Sequence, residues 1–265
     1  MYGGGSQSGM YYRPGVTRAV KVLLIAIVAV FVLQLALGQF AGIAIERLLG
    51  FAPVLFFAGA VWQILTYPFL HGSLTHILFN GMVLYMLGPE LERRWGTKRF
   101  AWYYAACAVG GAVLQMIIWG ISLVAIPSIS EFMGYTPIIG ASGALYGLFV
   151  AFGMLYGNSQ VLVFFMFPMR AKNFVILLTA IEVISAVFYT SPQVGGGGVA
   201  HLVHLGGLIT GYLILRWRGP NLTGGGRGSS GGGMSREEVK RRLSLVVNNE
   251  EEVKTGDKGQ PITWN

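Results

Sequence analysis

The chain has 265 residues, 54% of them hydrophobic and 11% charged, with a formal charge of +8 and a mean hydropathy of +0.59. A water-soluble domain carries about 25% charged residues, so this composition speaks against a soluble enzyme or binding module and for a protein in lipid. The excess positive charge does not indicate a nucleic-acid partner, because its placement along the chain follows membrane topology, as set out below.

Six apolar segments are long enough to cross a hydrocarbon core of roughly 30 Å, which takes about 20 residues, or fewer where neighbours shelter the helix. They are Val16–Leu37, Leu74–Leu87, Phe100–Trp119, Ser142–Gly157, Phe174–Tyr189 and Val199–Trp217. The first is too long and continuous for a cleaved signal peptide. The expected fold class is therefore an all-α membrane protein of six transmembrane helices, with a membrane domain over residues 16–218. Arg13, Arg18 and Lys21 precede the first span, Arg93, Arg94, Lys98 and Arg99 lie between the second and third, Arg170 and Lys172 between the fourth and fifth, and Arg216 and Arg218 close the last. The alternate connections hold Arg47 and little else basic. This positive-inside asymmetry predicts that both termini are cytoplasmic.

Residues 1–15, rich in Gly and Ser, read as disordered. The connection from Gly38 to Ser73 is rich in Phe, Leu and Trp, and Pro53 and Pro68 break any continuous helix. So apolar a loop is expected in the membrane interface, with Trp62 and Tyr67 at headgroup depth. Gly120–Gly140, with Pro127 and Pro137, is expected to enter the protein as an irregular segment lining a cavity. Ser191 to Gly198 reads as a flexible outer loop. Residues 219–233 form a Gly/Ser linker, and residues 234–265 a flexible tail in which Ser235-Arg-Glu-Glu238 opens a short helix to about Val247. The lone Cys107 reads as a buried packing residue.

All four histidines, His71, His76, His201 and His204, fall in or beside predicted spans. Ionisable groups at that depth are costly and point to a functional site. The acids limit the chemistry. The only aspartate is Asp257, in the tail, and neither histidine pair has the glutamate of an HExxH metalloprotease. An aspartic protease and a Ser-His-Asp triad are excluded in the same way, leaving a serine and a histidine with no third carboxylate. Glu182, in the fifth span, reads equally as an interhelical hydrogen-bond donor or as a cavity-facing group.

Ser142 stands in Gly140-Ala-Ser-Gly143 at the opening of the fourth span. Glycines there permit a tight turn and close approach, and free N–H groups at a helix start can hold an oxyanion. The Gly-x-Ser-x-Gly elbow is not matched, because position 144 is Ala144. Gly143 and Gly147 form one small-xxx-small pair, Gly207 and Gly211 another. If these faces meet, His204 comes within hydrogen-bond reach of Ser142. His76 and Asn80, at i and i+4, share one face of the second span and read either as oxyanion donors or as bundle-holding hydrogen bonds.

Together these motifs resemble the rhomboid protease family: His71-x4-His76-x3-Asn80 in the second span, Gly140-x-Ser142-Gly143 opening the fourth, and Ala200-x3-His204-x2-Gly207-x3-Gly211 in the sixth. The resemblance covers Val16 to Trp217. It implies a six-helix rhomboid bundle with an interfacial first loop and a water-filled cavity open to the outer side. In that family pattern Ser142 is the nucleophile and His204 the base. His76, Asn80 and the Ser142 N–H form the oxyanion hole, Tyr146 stacks on His204, and Gly140, Gly143 and His71 support the site. Trp62 matches the tryptophan of the family's first loop, but the arginine that often follows it is Gln63 here.

His201, one turn before His204, reads as a polar residue facing the cavity, as a competing base, or as a metal partner of His204. No metal or cofactor is expected. The implied function is a serine endopeptidase cutting transmembrane protein substrates in the lipid bilayer, through a dyad whose imidazole is held by packing and Tyr146. Bacterial inner (plasma) membrane is the expected location, and the oligomeric state is left open. The rival readings are a catalytically inactive rhomboid-like protein that binds membrane clients, and a histidine-based metal or haem carrier.

Overall fold

The structure is a computed structural model that describes residues 15–163, 166–188 and 198–219. The expected disordered N-terminus, outer loop, linker and tail helix fall almost entirely outside these residues.

Helix α1 (Arg18–Ala36) runs into a π-helical turn, Leu37–Ala41, and stops at Gly42, whose φ of +64° is left-handed. Its Val22, Ile25, Val28, Val32 and Leu35 are exposed, as a lipid-facing surface requires. The first-turn N–H groups of a helix have no partner within it. Here the carboxylate of Glu92 supplies one from another helix, accepting from the N–H groups of Ala19 (2.9 Å) and Val20 (3.0 Å) and from the hydroxyls of Thr17 and Thr97. A negative charge at a helix N-terminus is favourable in its own right.

The first loop is a chain of short turns: α2 (Glu46–Leu49), α3 (Pro53–Phe57), α4 (Gln63–Thr66) and the 3-10 turn Tyr67–Phe69. Pro53 stands at the start of α3, where its missing N–H costs nothing. Trp62 is half exposed and donates its indole N–H to the Leu48 carbonyl. Gln63 does the anchoring within the loop. It is 1% exposed, accepts from the Ala52 N–H and donates to the Leu48 carbonyl.

Helices α5 (Leu74–Trp95) and α6 (Thr97–Ala125) meet at Gly96, which has a φ of +82°. The segment expected to be irregular from Gly120 is instead helical for most of its length. Helix α6 continues to Ala125, and α7 (Pro127–Tyr135) follows it. Pro127 explains the break, since the residue before a proline is pushed out of the helical region and Ile126 has φ −147°. The chain turns irregular only after Tyr135, where Ile138 pairs with Phe51 of the first loop.

The helical expectation holds for most of the described residues, with one addition. Between α8 (Ser142–Leu155) and α9 (Ala171–Phe188) lies a hairpin of β1 (Gln160–Val163) and β2 (Phe167–Arg170), antiparallel with Gln160 opposite Arg170 and Val163 opposite Phe167. Alternate β-branched residues favour β1, and Pro168 is tolerated because a two-stranded ladder has only edges.

Among the described residues, three helical stretches are long and apolar enough to cross a membrane: Arg18–Ala41, Thr97–Ala125 and Ala171–Phe188. Of the other expected spans, α8 has only 14 residues, α5 carries Glu90, Glu92, Arg93 and Arg94, and α10 (Gly198–Arg218) carries two histidines and two arginines. Helix α10 packs most extensively against α6 and α8. The centre is close-packed through small residues, as is usual for helices in lipid, where no hydrophobic force acts between them. A Cβ at Gly207 would lie 1.8 Å from the Gly143 carbonyl oxygen, and one at Gly211 would lie 3.1 Å from the Gly147 Cα. The two glycine faces therefore meet. Cys107 is buried against Gly147.

Candidate active site

The contact of α8 with α10 brings together the residues at their starts. Ser142 opens α8 after Gly140, whose φ is +117°. No other residue fits at Gly140, because a Cβ there would also lie 2.7 Å from the His76 ring. One helical turn before Gly207, His204 faces Ser142, and its Nε2 lies 2.8 Å from Ser142 Oγ. Tyr146 lies one turn into α8, so its ring is parallel to that of His204, with centroids 4.3 Å apart and an interplanar angle of 12°.

His76 and Asn80, one turn apart on α5, both lie against Gly140, two residues before the serine. The orientation of Asn80 is set from behind. Asn80 Nδ2 is 3.0 Å from His71 Nε2, and His71 Nδ1 is 3.3 Å from the Phe69 carbonyl. This pair of partners is satisfied by a neutral His71 with its proton on Nδ1. His71 is 1% exposed, and burial, followed by the neighbouring His76, pushes its pKa down to about 4 despite the opposing Phe69 carbonyl. From α1, Gln34 clamps the His71 backbone, accepting from its N–H at 3.0 Å and donating to its carbonyl at 3.3 Å. Gln34 was not singled out from sequence. A lone glutamine in an apolar span was the available signal.

The expectation of no third carboxylate is overturned. Glu182 Oε2 lies 3.0 Å from His204 Nδ1 and 2.5 Å from His201 Nδ1, and the Tyr146 hydroxyl donates to Glu182 Oε1. Helix α9 is exposed along most of its length, and beyond its first residue, Ala171, only Glu182 and Ala186 are buried. The carboxylate is thus on the one face of α9 turned to the protein. Sequence placed Glu182 in a span but carried no information on which side of α9 would pack inward.

A serine and histidine in contact at the start of a helix, behind a His-Asn pair, are the kind of arrangement a hydrolase uses. The rhomboid domain family model matches residues 58–220, more than half of the chain, and the chain belongs to the rhomboid family. YdcA of Bacillus subtilis is 28% identical over 158 residues, covering 59% of this chain and 66% of that protein. RHOMBOID-like protein 1 of Arabidopsis thaliana is 32% identical over 159 residues, covering 58% and 33%. The rhomboid protease GluP of Bacillus subtilis is 27% identical over 154 residues, covering 58% and 25%. The matched region thus spans between a quarter and two thirds of these relatives' own length. Family membership and the apolar helices together make this an integral membrane protein.

Proposed function

We propose that the chain is an intramembrane serine endopeptidase that hydrolyses peptide bonds in or near the transmembrane segments of membrane-protein substrates. The observation that carries this reading is the 2.8 Å contact between Ser142 Oγ and His204 Nε2. Ser142 Oγ attacks the scissile carbonyl while His204 Nε2 takes its proton, and the same proton is then delivered to the leaving amine. A water activated by His204 hydrolyses the acyl-enzyme. The negative oxygen of each tetrahedral intermediate is received by the Ser142 N–H, one of the free donors of the first turn of α8, and by His76 and Asn80.

Glu182 extends the expected dyad. A carboxylate next to Nδ1 keeps the imidazole proton on that nitrogen and leaves the Nε2 lone pair free for the serine. It also offsets the positive charge that His204 acquires when it accepts the Ser142 proton. Tyr146 holds the ring by stacking and holds the carboxylate by its hydroxyl. His71 and Gln34 are positioning residues acting through Asn80.

In this reading α5, α8 and α10 cross the bilayer with the three long apolar helices. Both termini lie in the cytoplasm of a bacterial cell, and the site opens to the outer side. Sheltered by the others, α8 needs fewer residues than a lipid-exposed span. Labelling of detergent-purified protein with a fluorophosphonate tests the assignment. Wild type is expected to label at Ser142, with labelling lost in Ser142→Ala and His204→Ala. A well-folded wild type that does not label leaves the inactive, client-binding reading in its place.

A further inference from the structure

We propose that Glu182, His201 and His204 form a binding site for zinc, and that the bound ion switches off the Ser142 nucleophile. The second half rests on the reading of Ser142 and His204 as nucleophile and base. His201 and His204 are three residues apart, on one face of α10, and both turn Nδ1 to the same carboxylate oxygen of α9. One ligand atom from each of the three residues lies within 4.8 Å of the others. A tetrahedral zinc with bonds of about 2.0–2.2 Å needs its ligand atoms roughly 3.3 Å apart, so a movement of about an ångström opens the cluster for the ion. Two imidazoles and a carboxylate are a zinc-type donor set, and the set leaves the fourth position to water. Entry is from the His201 side, where the side chain is 26% exposed, against 15% for His204 and 4% for Glu182.

One carboxylate oxygen receives both imidazoles, which gathers three donor atoms of metal-ligating type at one point. His201 contributes nothing to the proposed hydrolysis, and its ring stands edge-on to His204 at a centroid distance of 5.9 Å, outside the Tyr146 stack.

The consequence for the serine follows from proton placement. With Glu182 as the partner, His204 carries its proton on Nδ1 and offers the Nε2 lone pair to Ser142. A metal on Nδ1 displaces the proton from that nitrogen, and the neutral ring then carries its one proton on Nε2. The Nε2–H then donates to Ser142 Oγ and cannot receive the serine proton. Zinc and the serine proton thus compete for one imidazole, and hydrolysis stops without any blocking of the cavity.

The test uses the full chain, purified in detergent and stripped of metal with a chelator. Cobalt replaces zinc as a spectroscopic probe. Wild type and Ser142→Ala are expected to bind one Co2+ with tetrahedral visible bands, displaced by Zn2+, and His201→Gln to lose the bands. Labelling of Ser142 by a fluorophosphonate is read as the ratio without and with zinc within each protein. At free zinc about ten times its Kd the wild-type ratio is about tenfold, whereas His201→Gln stays near one. Absent cobalt bands in wild type, bands that persist in His201→Gln, or wild-type labelling indifferent to zinc each overturn the proposal. If metal-free wild type never labels, the protease reading fails, and the cobalt spectra still decide the metal site.

Discussion

Glu182 Oε2 lies 3.0 Å from His204 Nδ1, on the edge of the imidazole opposite the nitrogen that meets Ser142. The two contacts use different ring atoms, so the carboxylate can set the tautomer without obstructing the serine. The same carboxylate is held at its other oxygen by Tyr146. Three helices, α8, α9 and α10, therefore fix one ring.

If Glu182 orients the histidine, Glu182→Gln is expected to lower kcat for a transmembrane substrate on the order of 100-fold with little change in KM. That is less than the roughly 10^4-fold lost when the orienting acid of a soluble triad is replaced, because the Tyr146 stack continues to hold the ring. Glu182→Asp restores part of the rate, since the charge returns with a shorter reach. A kcat that is the same in Gln and wild type would remove Glu182 from the mechanism.

The helix crossing predicts a graded response to glycine replacement. Gly207→Ala sets a methyl group 1.8 Å from the Gly143 carbonyl, and a backbone atom cannot give way as a side-chain tip can. Loss of about 3 kcal/mol is expected, seen as a lower melting temperature in detergent together with loss of Ser142 labelling as α8 and α10 separate. Gly120→Ala, where nothing lies within 4 Å of the new Cβ, is the control and leaves both unchanged. Equal behaviour of the two variants would contradict the packing described for α8 and α10.

His71 predicts an acid limb in stability. Its folded pKa of about 4 lies below the ordinary value of 6.5, so between these values the unfolded chain binds the extra proton. Stability is full above about pH 6.5, falls as pH drops towards 4, and loses no more from this group below that. The span corresponds to about 3 kcal/mol. Melting temperatures of wild type in detergent are expected to fall through this window, and those of His71→Gln to fall less steeply. Parallel slopes would show that His71 is not the group responsible.

The helical, membrane-embedded character of the chain was legible in the sequence because lipid imposes simple rules. Spans must be apolar, charges gather at their ends, and small residues mark close helix contacts. Ser142, His204, His76 and Asn80 could be singled out because polar groups in such surroundings are few. The hairpin after α8 escaped, since Gln160–Val163 and Phe167–Arg170 are short and their pairing depends on the chain turning back between them. Helix α7 escaped because Gly120–Gly140, with its two prolines, reads as irregular, while Pro127 stands at a first helical position, where proline is favoured.

The sequence by itself determined that this is a helical membrane protein, that its glycine pairs could bring the fourth and sixth segments together, and which serine and histidines were available. The tertiary structure decided what stands behind His204. Glu182 and His204 are 22 residues apart on different helices, and no local pattern says which side of α9 faces the bundle, because its lipid-facing and inward residues are alike apolar. Only the packing of α9 against α8 and α10 turns the carboxylate to the imidazole, and with it the contact of Ser142 and His204 gains a third partner.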